Sequence, residues 1–223
     1  MNGKVEALAL DVDGTITDNT RKLCIDSIKA IHHAEKRDVP VIIVTGNTLC
    51  ATTMLSIMLG TTGGVVSENG GLIEYQKRKE VLGNIRECER AYQYLKTKYQ
   101  VKKVEESDLR ISEVAIERNI EENVVKDELK NFNVEIYDTK FAIHLTDPAV
   151  NKGSSLRKLA DRMNIETSNI MAVGDSENDI EFLEVAGLKV AVNNADQELK
   201  DVADYVTSEP YGNGVKEAVL KFI

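Results

Sequence analysis

Two acidic residues with one residue between them follow the first apolar run of the sequence. Residues 5–10 read VEALAL, and Asp11, Val12, Asp13 and Gly14 come directly after them. Side chains of an extended chain alternate between its two sides, so Asp11 and Asp13 should lie on one side. Two neighbouring carboxylates suit a hard divalent cation, which prefers oxygen ligands. The alternative is an ordinary Asp-Gly turn with an incidental second acid.

A second acidic group follows another apolar run, IMAV, and reads GDSEND. Asp175 and Asp179 are four residues apart in it, a spacing that places two side chains on one face of a helix. They could supply further oxygen ligands for the same cation, and Asn178 is a further candidate beside them. The alternative is that Asp175 or Ser176 only caps a helix while Glu177 and Asn178 face solvent.

Hydroxyl, amide and ammonium groups occur at two further junctions. Thr45, Gly46 and Asn47 follow the apolar run VIIV at 41–44, and Lys152 begins a helical pattern. The free N–H groups at the start of a helix favour an oxyanion. Taken alone, Thr45 is typical of a helix cap and Lys152 of a solvated charge. Together, the four groups supply the acids, metal ligands, hydroxyl and cation that phosphoryl transfer needs.

The elements between these residues predict how they meet. Short apolar runs without alternation are typical of parallel strands buried on both faces, and they occupy 5–10, 41–44, 64–66, 170–173, 188–192 and 204–206. Helical patterns occupy 22–37, 48–59, 152–163 and 178–186. This alternation predicts an α/β fold with a doubly wound, mostly parallel sheet, whose ligands bind beyond the carboxyl ends of the strands. Asp11, Thr45 and Asp175 all follow strand ends, so we expect one shared site.

The stretch from residue 83 to residue 149 interrupts this alternation. Its pattern predicts a helix at 84–99, a strand at 110–118, a helix at 121–131, and strands at 134–138 and 141–146 that turn at Thr139-Lys140. We therefore predict two domains. An α/β core domain comprises residues 1–82 and 150–223, and a smaller α+β domain at 83–149 is inserted into it.

One histidine of the inserted segment is a weaker candidate. In the sequence FAIHLT, Phe141, Ile143 and Leu145 share one face of the strand, so His144 lies on the other. If the apolar face packs on the neighbouring helices, His144 points towards the core domain. The alternative is a half-exposed residue of the sheet. Asn69 is a candidate for the entrance to the site.

Composition limits the class of protein. The chain has 223 residues, of which 42% are hydrophobic and 29% charged, a globular profile. Its net charge of −9 argues against binding to nucleic acid or to an anionic membrane, both of which need a basic face. A run of about 18 apolar residues, as a membrane span requires, is absent from the sequence. Three cysteines without metal-binding spacing favour reduced thiols, and we predict a cytoplasmic monomer or homodimer.

The four groups together resemble the motifs of the haloacid dehalogenase superfamily. DVDGT matches its first motif, VIIVTG its second, the lysine of NKG its third and GDSEND its fourth. SENGG at 67–71 is also similar to a stretch of one subfamily. The segment 83–149, called the cap below, resembles the type II cap of subclass B (Cof-like) in its size and mixed pattern.

This resemblance implies a Rossmann-like core and a Mg²⁺-dependent phosphatase that acts on a small phosphorylated metabolite through an aspartyl-phosphate. The compact chain is similar to archaeal-type phosphoglycolate phosphatases, which implies 2-phosphoglycolate as the substrate. A sugar phosphate is the alternative substrate. A phosphomutase reaction, or a catalytically silent regulator, is the alternative function.

The resemblance also implies a role for each motif residue. Asp11 would be the nucleophile, and Asp13 would protonate the leaving oxygen and then deprotonate the attacking water. The Asp11 carboxylate, the Asp13 backbone carbonyl and Asp175 would hold Mg²⁺, with Asp179 either a direct ligand or a neighbour of the ligands. The phosphoryl group would be bound by Thr45, Gly46, Asn47 and Lys152, with Asn178 as a further substrate-binding residue.

Overall fold

The computed structural model describes residues 4–139 and 141–223, and these form two sheets and the helices around them. The strands are β1 (Ala7–Asp11), β2 (Val41–Val44), β3 (Val65–Ser67), β4 (Leu72–Tyr75), β5 (Arg78–Val81), β6 (Val114–Ile116), β7 (Glu135–Asp138), β8 (Ile143–Thr146), β9 (Ile170–Gly174), β10 (Leu188–Ala191) and β11 (Tyr205–Val206). The helices are α1 (Ile25–Glu35), α2 (Leu49–Leu59), α3 (Ile85–Lys98), α4 (Glu122–Leu129), α5 (Lys152–Met163), α6 (Ile180–Val185), α7 (Gln197–Val202) and α8 (Tyr211–Phe222).

The large sheet has the strand order β11-β10-β9-β1-β2-β3-β4-β5, and its strands from β11 to β3 are parallel. Alternate residues of β1 serve opposite faces. Leu8 and Leu10 pack in a cluster that includes α1 and α8, whereas Ala7 and Ala9 pack in one that includes α5 and α6. Burial on both faces explains the continuous apolar runs. The predicted doubly wound α/β fold is confirmed.

The edge of the large sheet was not predicted. The antiparallel strands β4 and β5 extend it, joined by a turn in which Gln76 and Lys77 have positive φ angles. Arg78, Lys79 and Glu80 give β5 a charged sequence, which hides the strand from a search for apolar runs. Such charges protect an edge strand from pairing with another chain. Helices α7 and α8 were also missed, and the predicted helix at 178–186 begins as a 3₁₀ turn at Glu177–Asp179.

The second sheet lies in the cap, with β8 between β6 and β7 in antiparallel register. Ile143 and Leu145 pack with α3 and α4, as predicted. The prediction for Phe141 was wrong. The strand begins at Ile143, and the Phe141 side chain is exposed outside the apolar cluster. Thr139 is at the predicted hairpin turn, and Lys140 lies outside the described residues.

The predicted strand at 110–118 is also shorter than expected, because only Val114–Ile116 is extended and paired. Residues 107–109 form a 3₁₀ turn, and the stretch from there to Glu113 is a loop. This loop approaches the carboxyl edge of the large sheet. There Glu68 accepts hydrogen bonds from the backbone N–H groups of Ile111 (3.1 Å) and Ser112 (3.0 Å).

Candidate active site

The predicted convergence of the motif residues follows from the order of three neighbouring strands. β1 lies between β9 and β2, and all three run in the same direction. Asp11 ends β1, Thr45 follows β2, and Asp175 follows β9. Lys152 is the first residue of α5, which packs on the face of the sheet formed by Ala7 and Ala9. The four groups therefore meet at one edge, as expected of parallel sheets.

Asp11, Asp175 and Asp179 form a compact cluster, called the carboxylate cluster here. One oxygen of each lies within 4.8 Å of the others, and all three side chains are buried. Lys152 Nζ donates to Asp11 Oδ1 at 2.9 Å and to Asp179 Oδ1 at 2.6 Å. The second oxygen of Asp179 accepts from the backbone N–H groups of Asp175 (3.0 Å) and Ser176 (3.2 Å). Asp179 is therefore fixed at both oxygens.

The electrostatics of the carboxylate cluster favour a cation. Burial raises the pKa of Asp11 well above its ordinary value; the negative charge of Asp179 adds to this, and Lys152 opposes it. Burial would lower the pKa of Lys152, but Asp11 and Asp179 outweigh it and raise that pKa, so the ammonium stays charged. Three carboxylates with one ammonium have a net negative charge. A divalent cation, with its preference for oxygen ligands, would balance it.

Glycine is required where the chain leaves β1. Gly14 has a φ of 95°, a region that side chains rarely adopt. A Cβ atom there would lie 2.2 Å from Asp175 Oδ2. The bare backbone thus lets the turn after Asp11 pass directly beside Asp175, and Thr15 Oγ1 donates to Asp175 Oδ1 at 3.3 Å.

Asp13 has its hydrogen-bond partners outside the carboxylate cluster. Its Oδ1 accepts from Arg21 Nε at 2.9 Å, and its Oδ2 accepts from Asn47 Nδ2 at 2.9 Å. Arg21 also donates to Asn47 Oδ1 at 3.2 Å, and its guanidinium lies 4.4 Å from the centre of the Phe141 ring. Asp11 and Asp13 are thus neighbours in sequence with different partners, one among carboxylates and the other between an amide and a guanidinium.

The loop after β2 has no space for a side chain at Gly46. Asn47 donates to Thr45 Oγ1 through its backbone N–H (3.1 Å) and its side chain (3.0 Å). A Cβ on Gly46 would lie 2.7 Å from Asn69 Oδ1, so Asn69 fills the space beside this loop. Asn178 accepts a hydrogen bond from Ser176 Oγ and lies at the rim of the same cavity.

A cavity of about 850 Å³ joins these residues to the cap. Its floor includes Asp11, Asp13, Thr45 and Lys152. Its cap side is formed by the face of the second sheet turned away from α3 and α4, together with the loop before β6. The lining residues on that side include Arg110, Tyr137, Phe141 and His144.

The chain is similar in sequence to known hydrolases. The sequence profile of the haloacid dehalogenase-like hydrolases matches residues 8–105 and 86–219. A phosphoglycolate phosphatase of Methanothermobacter thermautotrophicus is 53% identical over 219 residues, which cover 98% of this chain and 99% of that protein. The chain belongs to the haloacid dehalogenase-like hydrolase family.

Solved structures share the fold of this chain. A Thermoplasma acidophilum protein superposes with a TM-score of 0.92 at 24% identity, covering 98% of both chains. The subclass IIB sugar phosphatase BT4131 superposes with a TM-score of 0.80 at 22% identity, covering 97% of this chain and 98% of that chain. These two likenesses show that the fold is shared. No helix among the described residues is long and apolar enough to span a membrane.

Within this haloacid dehalogenase-like hydrolase, a second charged cluster lies on the cap side of the cavity. Glu113 Oε1 accepts from His144 Nδ1 at 2.9 Å and from Arg110 Nη1, and its Oε2 accepts from Asn69 Nδ2 at 2.9 Å. Burial would raise the pKa of Glu113, but His144, Arg110 and Asn69 lower it below its ordinary value. We call Arg110, Glu113 and His144 the basic cluster, because two basic side chains share one carboxylate.

The sequence showed some members of these sites and not others. His144 is buried and faces the cavity, so the half-exposed alternative was wrong. Asn69 lies between the loop at Gly46 and Glu113, deeper than the entrance predicted for it. Arg21 and Arg110 were not found. Neither belongs to a motif, and the only signal was a positive charge in a loop next to a strand.

Proposed function

We propose that this chain is a Mg²⁺-dependent phosphatase that hydrolyses 2-phosphoglycolate to glycolate and phosphate. The observation that carries this proposal is the separation of two neighbouring acids. Asp11 lies in the carboxylate cluster beside Lys152, whereas Asp13 lies outside it. One acid is thus placed to attack phosphorus and the other to move protons. The 53% identity to a protein named phosphoglycolate phosphatase supports the choice of substrate.

Asp11 is the proposed nucleophile. Lys152 holds its Oδ1, which leaves Oδ2 to attack phosphorus and form an aspartyl-phosphate while the ester oxygen leaves. Thr45 Oγ1 and the N–H groups of Gly46 and Asn47 are the proposed donors to the phosphoryl oxygens, with the Asn47 N–H exchanging its hydrogen bond to Thr45 Oγ1 for one to phosphate. Lys152 lowers the cost of their negative charge, because a buried ammonium acts strongly at low local dielectric.

Asp13 is the proposed acid and base. In the first step its carboxyl proton passes to the leaving glycolate oxygen, and in the second it takes a proton from the water that hydrolyses the aspartyl-phosphate. Arg21 and Asn47 each hold one of its oxygens, which fixes its orientation. Asn47 thus serves both the phosphoryl site and the acid.

Asp11, Asp175 and Asp179 fit a Mg²⁺ ion, because their buried carboxylates supply hard oxygen ligands around a common point. The Asp13 backbone carbonyl is the additional proposed ligand. When bound, the ion would neutralise phosphoryl charge.

The substrate is a small phosphorylated metabolite, and we propose a cytoplasmic monomer or homodimer. We also propose the division predicted from the sequence, with a core domain of residues 1–82 and 150–223 and a cap domain of residues 83–149. Residues of both line the cavity.

Phosphate release from a panel of metabolite phosphates tests this proposal. The panel contains 2-phosphoglycolate, several sugar phosphates and 4-nitrophenyl phosphate, each assayed with Mg²⁺ and with EDTA. We expect 2-phosphoglycolate to give the highest kcat/KM, and EDTA or Asp11→Asn to abolish release. Asp161→Asn, at an exposed site on α5, is the matched control and should keep full activity.

The possible outcomes separate the alternatives. A sugar phosphate with the highest kcat/KM would replace the substrate and keep the phosphatase. Isomerised product that depends on a bisphosphate primer would indicate a phosphomutase. A folded protein that binds Mg²⁺ and releases no phosphate from any ester would overturn the proposed activity.

A further inference from the structure

The basic cluster in the cap has a geometry that the proposed chemistry does not use. Glu113 is 1% exposed at its side chain, Arg110 8% and His144 6%, so three charged or chargeable groups are buried beside the cavity. Burying such groups is costly unless each has a partner. Glu113 is fully engaged, since it accepts from Arg110, His144 and Asn69.

His144 has a defined tautomer in this arrangement. Glu113 has a lowered pKa and is ionised, so it can only accept hydrogen bonds. His144 Nδ1 must therefore carry the proton that Glu113 accepts. Among the described residues, Nε2 has no hydrogen-bond partner, and His144 lines the cavity. An anion in the cavity would favour protonation of Nε2, which would then donate to that anion.

Arg110 has unused donor capacity. Its Nη1 donates to the Gly46 carbonyl oxygen at 2.8 Å and to Glu113. Its Nε is buried and lacks a hydrogen-bond partner among the described residues. A buried, unpaired N–H of a guanidinium is unfavourable, and an acceptor on a ligand would relieve that cost. With His144 protonated, the basic cluster has one positive charge more than Glu113 balances.

The basic cluster contacts the loop of residues 45–47, which is proposed to bind the phosphoryl group. Arg110 contacts the carbonyl of Gly46, which lies between Thr45 and Asn47. Asn69 packs on Gly46 and donates to Glu113. These contacts place the cluster beside the phosphoryl group and suit a second anionic group that is only a few bonds from phosphorus.

We propose that Arg110 and His144 bind the carboxylate of a short phosphorylated carboxylic acid, and that Glu113 positions both. This inference rests on the proposed phosphatase activity and assigns its selectivity to two residues of the cap. Arg21 is the other arginine at the cavity, but its Nε and Nη2 donate to Asp13 and Asn47, Asp13 balances its charge, and its side chain is 46% exposed, so solvent screens it. Lys126 also lines the cavity, is half exposed, and pairs with Glu122.

Three esters of similar size test the inference. They are 2-phosphoglycolate, 2-hydroxyethyl phosphate and 2-aminoethyl phosphate, whose second groups are negative, neutral and positive. We expect the wild-type kcat/KM to decrease in that order. In His144→Gln and Arg110→Gln, the ratio of kcat/KM for 2-phosphoglycolate to that for 2-hydroxyethyl phosphate should fall about ten- to hundredfold, because a charge-assisted hydrogen bond is lost. Most of the change should appear in KM.

Matched controls use the same substitutions on the surface. His32→Gln and Arg90→Gln alter exposed side chains of α1 and α3 and should leave the ratio as in the wild type. Arg110→Lys keeps the charge without the planar donors and should recover only part of the ratio. If Arg110→Gln does not fold, as a thermal melt would show, His144→Gln and the wild-type order of substrates still decide the matter.

Two results would overturn the inference and leave the phosphatase intact. One is a wild-type enzyme that hydrolyses 2-phosphoglycolate and 2-hydroxyethyl phosphate equally well. The other is an equal loss of kcat/KM for both esters in His144→Gln and Arg110→Gln, which indicates a structural role. A wild-type enzyme inactive on every ester instead overturns the proposed function itself.

Discussion

The carboxylate cluster of the core and the basic cluster of the cap have opposite charge arrangements. In the core, Lys152 is a single cation among three acids. In the cap, Glu113 is a single anion between two basic side chains. The first arrangement attracts a metal ion and the second an anion. The two clusters face one cavity, so a substrate with an anionic group at each end would contact both.

The two clusters also differ in how they are assembled. The carboxylate cluster comes from strand ends and the start of a helix, and its geometry is fixed by the parallel sheet. The basic cluster comes from a loop before β6 and from β8, and Asn69 of the core donates to its carboxylate. The parallel sheet by itself positions the carboxylate cluster. The basic cluster is positioned only by the way the loop before β6 packs against β8. Substitutions that remove the central charge or a supporting contact of each cluster should therefore differ in their effects.

Lys152→Gln should have the largest effect. Loss of the ammonium leaves Asp11 and Asp179 without their shared donor, and we expect kcat to fall about 10³-fold. Phosphate release from 2-phosphoglycolate measures this, with Lys36→Gln on the exposed end of α1 as the control. A loss smaller than tenfold would mean that Lys152 only stabilises the fold.

Asp13→Asn should lower kcat for 2-phosphoglycolate about 10²-fold, because the alkoxide leaving group then receives no proton. Nitrophenolate leaves without a proton, so attack by Asp11 on 4-nitrophenyl phosphate should persist. Rapid mixing should show a burst of nitrophenolate close to one per enzyme, followed by slow turnover. Absence of a burst, with equal losses for both esters, would assign Asp13 to metal binding or folding instead.

Glu113→Gln should reduce stability more than it reduces chemistry at phosphorus. The substitution leaves Arg110 and His144 buried without their common anion, and we expect the free energy of unfolding to fall by about 3 kcal/mol. Urea unfolding measures this, with Glu117→Gln at an exposed position as the control. If Glu113→Gln had the wild-type free energy of unfolding, the charges of the basic cluster would contribute nothing to stability.

The loss of stability in Glu113→Gln should depend on pH. Because the folded-state pKa of Glu113 lies below its ordinary value of 4.5, its ionised form stabilises the protein fully above that pH. The contribution is lost as the pH falls through the folded-state pKa. The difference in unfolding free energy between wild type and Glu113→Gln should therefore shrink below pH 4.5. A difference that stays constant down to pH 3 would contradict this assignment.

Arg21→Gln should have the smallest effect. Its side chain is 46% exposed, and it supports Asp13 without reaching the carboxylate cluster. We expect kcat to fall less than tenfold, as for one partly exposed ion pair, with KM for 2-phosphoglycolate nearly unchanged. Steady-state kinetics beside Arg90→Gln measures the split. A large rise in KM would instead place the substrate carboxylate at Arg21.

The sequence predicted the carboxylate cluster because its members are tied to local patterns. Asp11 ends one buried strand and Asp175 follows another, and parallel strands bring their carboxyl ends together whatever the exact register. The predicted and observed bounds of β2 and α5 agree for the same reason, since a compact apolar run or a capped amphipathic helix is a local feature.

The basic cluster could not be predicted in this way. Whether Glu113 meets His144 depends on the pairing of β6 with β8, in which Ala115 lies opposite His144. The prediction assigned the residues of the loop before β6 to a strand, so the conformation predicted for Arg110 was wrong. Arg21 lies in a turn with a φ of 65°, and no periodicity indicates that it would reach back to Asp13.

Asn69 connects the two clusters and has a consequence for exchanging parts between relatives. It follows β3 in a short segment where Glu68, Asn69 and Gly70 have φ angles of 49°, 52° and 98°. Its amide packs on Gly46 of the core and bonds Glu113 of the cap. A chimaera that receives only residues 83–149 from another family member would keep the old Asn69 contacts, and its selectivity would belong to neither parent. The transferable unit is the cap together with residues 68–70.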